Sequence, residues 1–120
     1  MATEDVDKFL QSLYESHEDP NDIDRRVFDL LKFLDKILSR DDAGRTYGKD
    51  PTVTSPDIEH LLVTCDVEKL SPVEMLGIIS YTYPAKGFLC NREAFVTRAT
   101  ARMVQCIGAE RTESLIANRR

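Results

Sequence analysis

The sequence predicts an all-α fold, a compact bundle of five to six short-to-medium helices with one long loop at about residues 41–54. Three observations lead there. Apolar residues recur at spacings of three and four, and strict two-residue alternation is nearly absent. Two Ser-Pro pairs, Ser55-Pro56 and Ser71-Pro72, each set a capping residue before a proline at the first helical position. Glycine and proline number only five each, so few breaks are available and the links must be short. A chain of 120 residues fits one domain, 1–120, with fraying expected at about 1–3 and 118–120.

The first helix carries Val6, Phe9, Leu10, Leu13 and Tyr14 at i, i+3, i+4, i+7 and i+8. Thr3 is its expected cap, and Glu4, Asp5 and Asp7 suit its positive end. His17 to Asn21 breaks it. A longer helix starts at Asn21 or Asp22 and runs to about Arg40. Its stripe is Ile23, Val27, Leu30, Leu31, Leu34, Ile37 and Leu38. At about 100° per residue, Phe28 projects well away from that stripe. Pro56 to about Cys65 forms a short helix that buries Ile58, Leu61 and Leu62. Ser71-Pro72-Val73-Glu74 is a capping box opening a helix to Tyr83 that buries Met75, Leu76 and Ile79. The turn Pro84–Gly87 ends it. Asn91 is the expected cap of a fifth helix with the face Phe95, Val96, Ala99, Met103, Cys106 and Ile107, stopped by Gly108. Glu110 to Ala117 adds a short last helix.

Composition narrows the class. The chain is 42% apolar and 31% charged, ordinary for a folded domain rather than a disordered one. No apolar run approaches the ~18 residues of a membrane helix, and the acidic start has no secretory h-region. Cys65, Cys90 and Cys106 are an odd, widely spaced set. They read as small buried hydrophobes in a reducing compartment, so a cytoplasmic location, in a cell or a host cell, is expected. The net charge of −5 argues against broad nucleic-acid binding.

That net charge conceals a split. Residues 1–85 hold 9 Lys+Arg against 18 Asp+Glu, and residues 86–120 hold 7 against 3. Like-signed blocks seek opposite charge within the fold, in a second copy or in a ligand. On the basic side, Arg98 and Arg102 lie four apart on one helical ridge, where like charges repel. Arg92 sits in the first turn, against the macrodipole. The first expectation is compensation by the chain's own carboxylates, Asp24, Asp29, Asp35, Asp57 and Glu59. An anionic ligand, or an acidic patch on another protein, is the alternative.

No cofactor, metal or catalytic site is expected. His17 and His60 have no nucleophile or orienting acid at a diagnostic spacing. His60, Cys65 and Asp66 do not share a helical face, and no CxxC is present. Gly44 to Lys49 is not a phosphate loop: three residues separate its glycines, Asp50 replaces the hydroxyl, and no strand precedes. Tyr47, flanked by Arg45 and Lys49, remains a possible contact in a long loop. Tyr81, with Lys86 at the following turn, could stack a base or anchor a protein. Phe28 is a second exposed aromatic, suited to self-association. The expected function is non-enzymatic: a small regulator, inhibitor, immunity protein or assembly factor that binds another protein, or itself as a homodimer. The alternative is a binder of an anionic, nucleotide-like ligand or nucleic acid through Arg92, Arg98, Arg102 and Lys86.

Overall fold

The structure, a computed structural model, describes residues 2–15, 23–40, 56–82 and 91–117. Among them are six α-helices and no strand: α1 (Ala2–Glu15), α2 (Ile23–Arg40), α3 (Pro56–Thr64), α4 (Pro72–Tyr81), α5 (Arg92–Ile107) and α6 (Ala109–Ala117). A 3₁₀ turn, Val67–Lys69, joins α3 to α4. The all-α bundle read from periodicity is the observed fold. The loop at 41–54, the turn 84–87 and both expected frayed ends, apart from residues 2 and 3, lie outside the described residues.

The centres of the predicted stripes are buried, while Phe9, Tyr14, Val27 and Leu31 are only partly covered. Val6, Leu10 and Leu13 of α1 meet Leu30, Leu34 and Ile37 of α2 and Ile58, Leu61 and Leu62 of α3 in one core. Helix α4 is the hub, packed between α2 and α5. Its Met75, Ile78 and Ile79 are fully buried, because covering both flanks leaves only a narrow strip for solvent. Phe95, Val96, Ala99 and Met103 bring α5 to the same core, and α6 folds back on α5. The radius of gyration is 14.0 Å, close to the roughly 14 Å expected of a compact chain this long.

Three local expectations need correction. Helix α1 begins at Ala2, so Thr3 lies inside its first turn and is not the residue before it. Asn91 occupies the capping position of α5 without a side-chain cap hydrogen bond. Its own N–H instead donates to Glu59 Oε1 of α3 at 2.9 Å, and a carboxylate is well placed at a helix's positive end. Cys106 is in phase with the buried face of α5 but exposed. Met103 is the last fully buried residue of that face, and in the final turn Ile107 is only partly covered.

The capping box of α4 is present as read. Ser71 Oγ accepts from the Glu74 N–H at 3.3 Å, and Glu74 Oε1 accepts from the Ser71 N–H at 2.8 Å. Gly108 ends α5 and starts α6 in one residue. Its N–H donates to Val104 O, and its carbonyl accepts from both the N–H and the hydroxyl of buried Thr112. It does so at φ 90°, ψ 159°, a region essentially closed to other residues. A Cβ there would meet no neighbour within 4 Å, so the cost of substitution is backbone strain alone. Gly108→Ala is expected to lose about 1–3 kcal/mol in urea unfolding. A loss below a few tenths would show that the α5–α6 corner relaxes freely.

Candidate functional site

The three arginines singled out on α5 reach three different places. Arg92 is buried and lies over the end of α4. Its Nη2 donates to Ile79 O at 2.9 Å and its Nε to Thr82 Oγ1 at 3.1 Å. The last four carbonyls of a helix have no partner within it and carry the negative end of its dipole. A guanidinium supplies both hydrogen bonds and charge there. The same contact relieves the cost of a positive residue in α5's own first turn, helped by Glu93 at 3.6 Å.

Arg98 repeats the device at α3. Its Nη2 donates to Leu62 O at 2.6 Å, near that helix's C-terminus, and its guanidinium carbon lies 5.7 Å from the Phe95 ring centroid. Thus two residues expected to face an anion or the chain's carboxylates hold backbone carbonyls. Arg102 is half-buried; its Nη1 reaches Gln105 Oε1 at 3.3 Å, and its Nε has no hydrogen-bond partner among the described residues. Lys86 and Tyr47, and with them Tyr83, Phe88, Cys90 and His17, lie outside the described residues.

Arg98 also borders Cys65. Burial pushes that thiol up to about 12, although the neighbouring guanidinium partly opposes the rise. Burial likewise raises Tyr14, whose hydroxyl accepts the Asp66 N–H at 2.7 Å. Both groups stay neutral in the folded chain at pH values where the unfolded chain would ionise them. The folded state then holds more protons, so stability is retained below about pH 9 and lost as pH rises toward 12. Cys65→Ala should flatten that alkaline loss. At pH 8, iodoacetamide should label exposed Cys106 and spare Cys65 until the chain unfolds. Equal labelling of both would contradict the burial.

Helix α2 presents the other candidate surface. Phe28 is 63% exposed, as its phase predicted, with the Lys32 ammonium 5.8 Å from its ring centroid. On one side lies a groove of about 600 Å³ between α2 and α4, walled by Val27, Leu31, Val73, Leu76, Gly77 and Tyr81. Val73 is 46% exposed. Tyr81 is half-buried rather than fully free: its hydroxyl donates to Asp35 Oδ1 at 2.7 Å, tying α4 to α2. On the other side, Phe9 and Phe33 stack at 4.1 Å with planes 5° apart. They floor a second hollow of about 460 Å³ with Asp29, Lys32 and Lys36 at its edge.

Sequence reasoning missed Arg26. It is 7% exposed and its Nε lies 3.1 Å from Oε2 of Glu74, itself 1% exposed. One carboxylate therefore caps α4 and neutralises a buried cation from α2. The signal was there: Arg26 falls three residues after Ile23 and four before Leu30, on the buried side of α2. His60, without an orienting acid at a diagnostic spacing in the sequence, meets a carboxylate across the fold: its Nε2 lies 2.9 Å from Asp7 Oδ1, linking α3 to α1. No group of three or more potential metal ligands occurs among the described residues, and no helix there is long and apolar enough to cross a membrane.

Comparison of the chain with protein-family models, curated proteins and solved structures finds no match. Function therefore rests on the surfaces themselves.

Proposed function

We propose that this chain is a non-enzymatic protein-binding module whose contact surface is the outer face of α2 with the adjoining α2–α4 groove. One observation carries the reading: Phe28, an aromatic ring on an otherwise well-packed helix, stands 63% exposed beside an apolar groove. Leaving so much apolar surface in water is unfavourable by roughly 25 cal/mol per Å², and burial against a partner recovers it. Aromatic rings flanked by apolar hollows are the usual anchors of protein interfaces. A regulator, an inhibitor, an immunity protein and an assembly factor would all use such a face in the same way, and a reducing, cytoplasmic setting suits the unpaired thiols.

The anion-binding alternative has less support. Arg92 and Arg98 would have to release helix-end carbonyls to take a ligand, and Arg102 has a buried Nε without a hydrogen-bond partner among the described residues.

Photo-crosslinking decides the matter. A photoreactive phenylalanine analogue at position 28, installed in the host cell, should give a light-dependent adduct with protein. The same analogue at Val63, 55% exposed on α3, should give far less. Equal or absent adducts at the two positions would remove the basis for the proposal.

A further inference from the structure

Four of the residues exposed on α2 follow a rule that a single chain does not need. Among the residues whose burial is described, Arg25, Phe28, Asp29, Lys32, Asp35 and Lys36 are exposed. Arg25 and Asp35 lie equally far from position 30, one on each side, with opposite signs. Phe28 and Lys32 are also equally far from it, an aromatic ring and a cation. The sequence continues the rule one step outward, with Asp at position 24 and Lys at position 36.

Two copies of one helix packed antiparallel about a two-fold axis set each residue opposite the residue equally far from the centre on the other side. Centred on position 30, Arg25 meets the partner's Asp35, and Phe28 meets the partner's Lys32 as a cation–π pair. Each contact occurs twice. No other register matches as many of these six positions, and several oppose like charges. Centring on position 32 sets Lys32 against itself and Asp29 against Asp35. Centring midway between 28 and 29 sets Arg25 against Lys32.

We infer that the occupant of the α2 face is a second copy of this chain, packed α2 against α2 in the antiparallel register centred on position 30. This rests on the reading of that face as the contact surface and adds its partner. Asp35 can serve both roles, because its Oδ1 takes the Tyr81 hydroxyl and a carboxylate has further acceptor positions. An 18-residue helix is about 27 Å long, so one helix pair falls at the small end of specific interfaces. The dimer is therefore weak, with half-association in the micromolar range.

Sedimentation velocity from about 1 to 200 µM tests this on the full chain. Wild type should shift from monomer to dimer. Arg25→Asp alone and Asp35→Arg alone each oppose like charges, and both should stay monomeric. Mixed in equal amounts, they restore opposite charge at every Arg25–Asp35 contact, and the dimer should return. Tyr81→Phe removes the same internal hydrogen bond as Asp35→Arg and should dimerise like wild type, separating that loss from the interface. A wild type monomeric at every concentration, or a dimer indifferent to both charge changes, overturns the inference. If crosslinks at position 28 then reach a different protein, the binding-module reading survives without self-association. If they reach nothing, both fall.

Discussion

Glu74→Ala is expected to destabilise the fold by about 3–5 kcal/mol, the range for removing one partner of a buried ion pair. The carboxylate is 1% exposed, lies 3.1 Å from Arg26 and accepts the Ser71 N–H. Its loss leaves a guanidinium 7% exposed without a counter-charge and opens the first turn of α4, the hub of the core. Total stability of such a domain is about 5–15 kcal/mol, so a large part of it would go. Urea titration followed by circular dichroism measures the change. Glu74→Gln separates the two roles, keeping shape and an acceptor for Ser71 while leaving Arg26 unneutralised. Arg26→Met, which removes the cation and fills its space, should cost less in the Glu74→Gln background than alone, because the charge needing a partner is then gone. A loss under about 1 kcal/mol for Glu74→Ala would mean that water reaches Arg26 and the pair is not dry.

The second large effect is expected at Arg92. Alanine there strips the charged donors from Ile79 O and Thr82 Oγ1. A hydrogen bond from a charged group is worth about 1.5–3 kcal/mol, and an orphaned buried acceptor adds to the loss. Arg92→Ala should therefore lower stability by about 2–4 kcal/mol, with no change in association through α2. Arg92→Lys should recover only part, since a single ammonium cannot reproduce the fork that spans two acceptors. A variant of unchanged stability that loses affinity for an anion would instead restore the ligand-binding reading of this helix.

These two positions also show what the sequence could and could not tell. Helix placement was legible because burial repeats: Val6, Leu10 and Leu13, or Met75 and Ile79, need only a helical period to be recognised. The capping box was legible because its chemistry is local, with Ser71 and Glu74 three apart. The exposure of Phe28 was legible as a phase error on an otherwise regular stripe. What stayed hidden depends on partners distant in the chain. Arg92 and Arg98 hold the carbonyls of Ile79 and Leu62, and a backbone carbonyl is present at every residue, so nothing in the sequence marks those two. Arg26 and Glu74 are 48 positions apart, and each has an ordinary local reading. Cys106 has the right phase for burial, but phase does not say where the neighbouring helices stop.

The acid–base split takes a definite form from this. Two arginines of the basic half are held internally: Arg92 and Arg98 lie on the negative ends of α4 and α3, while Glu59 of the acidic half meets the start of α5. These contacts between the halves run through helix termini. The conspicuous unmet demand lies on α2, in the acidic half, where an aromatic ring stands in solvent.

Native mass spectrometry of the chain purified from its own host, as wild type and as Phe28→Ser, tests the central claim most directly. Phe28 supports little of the fold, so the substitution should leave stability within about 0.5 kcal/mol of wild type. The account predicts that wild type carries a retained protein partner or a second copy and that Phe28→Ser is seen at the mass of the single chain, 13.7 kDa. A wild type found only at that mass, or a complex that persists unchanged in Phe28→Ser, would contradict it.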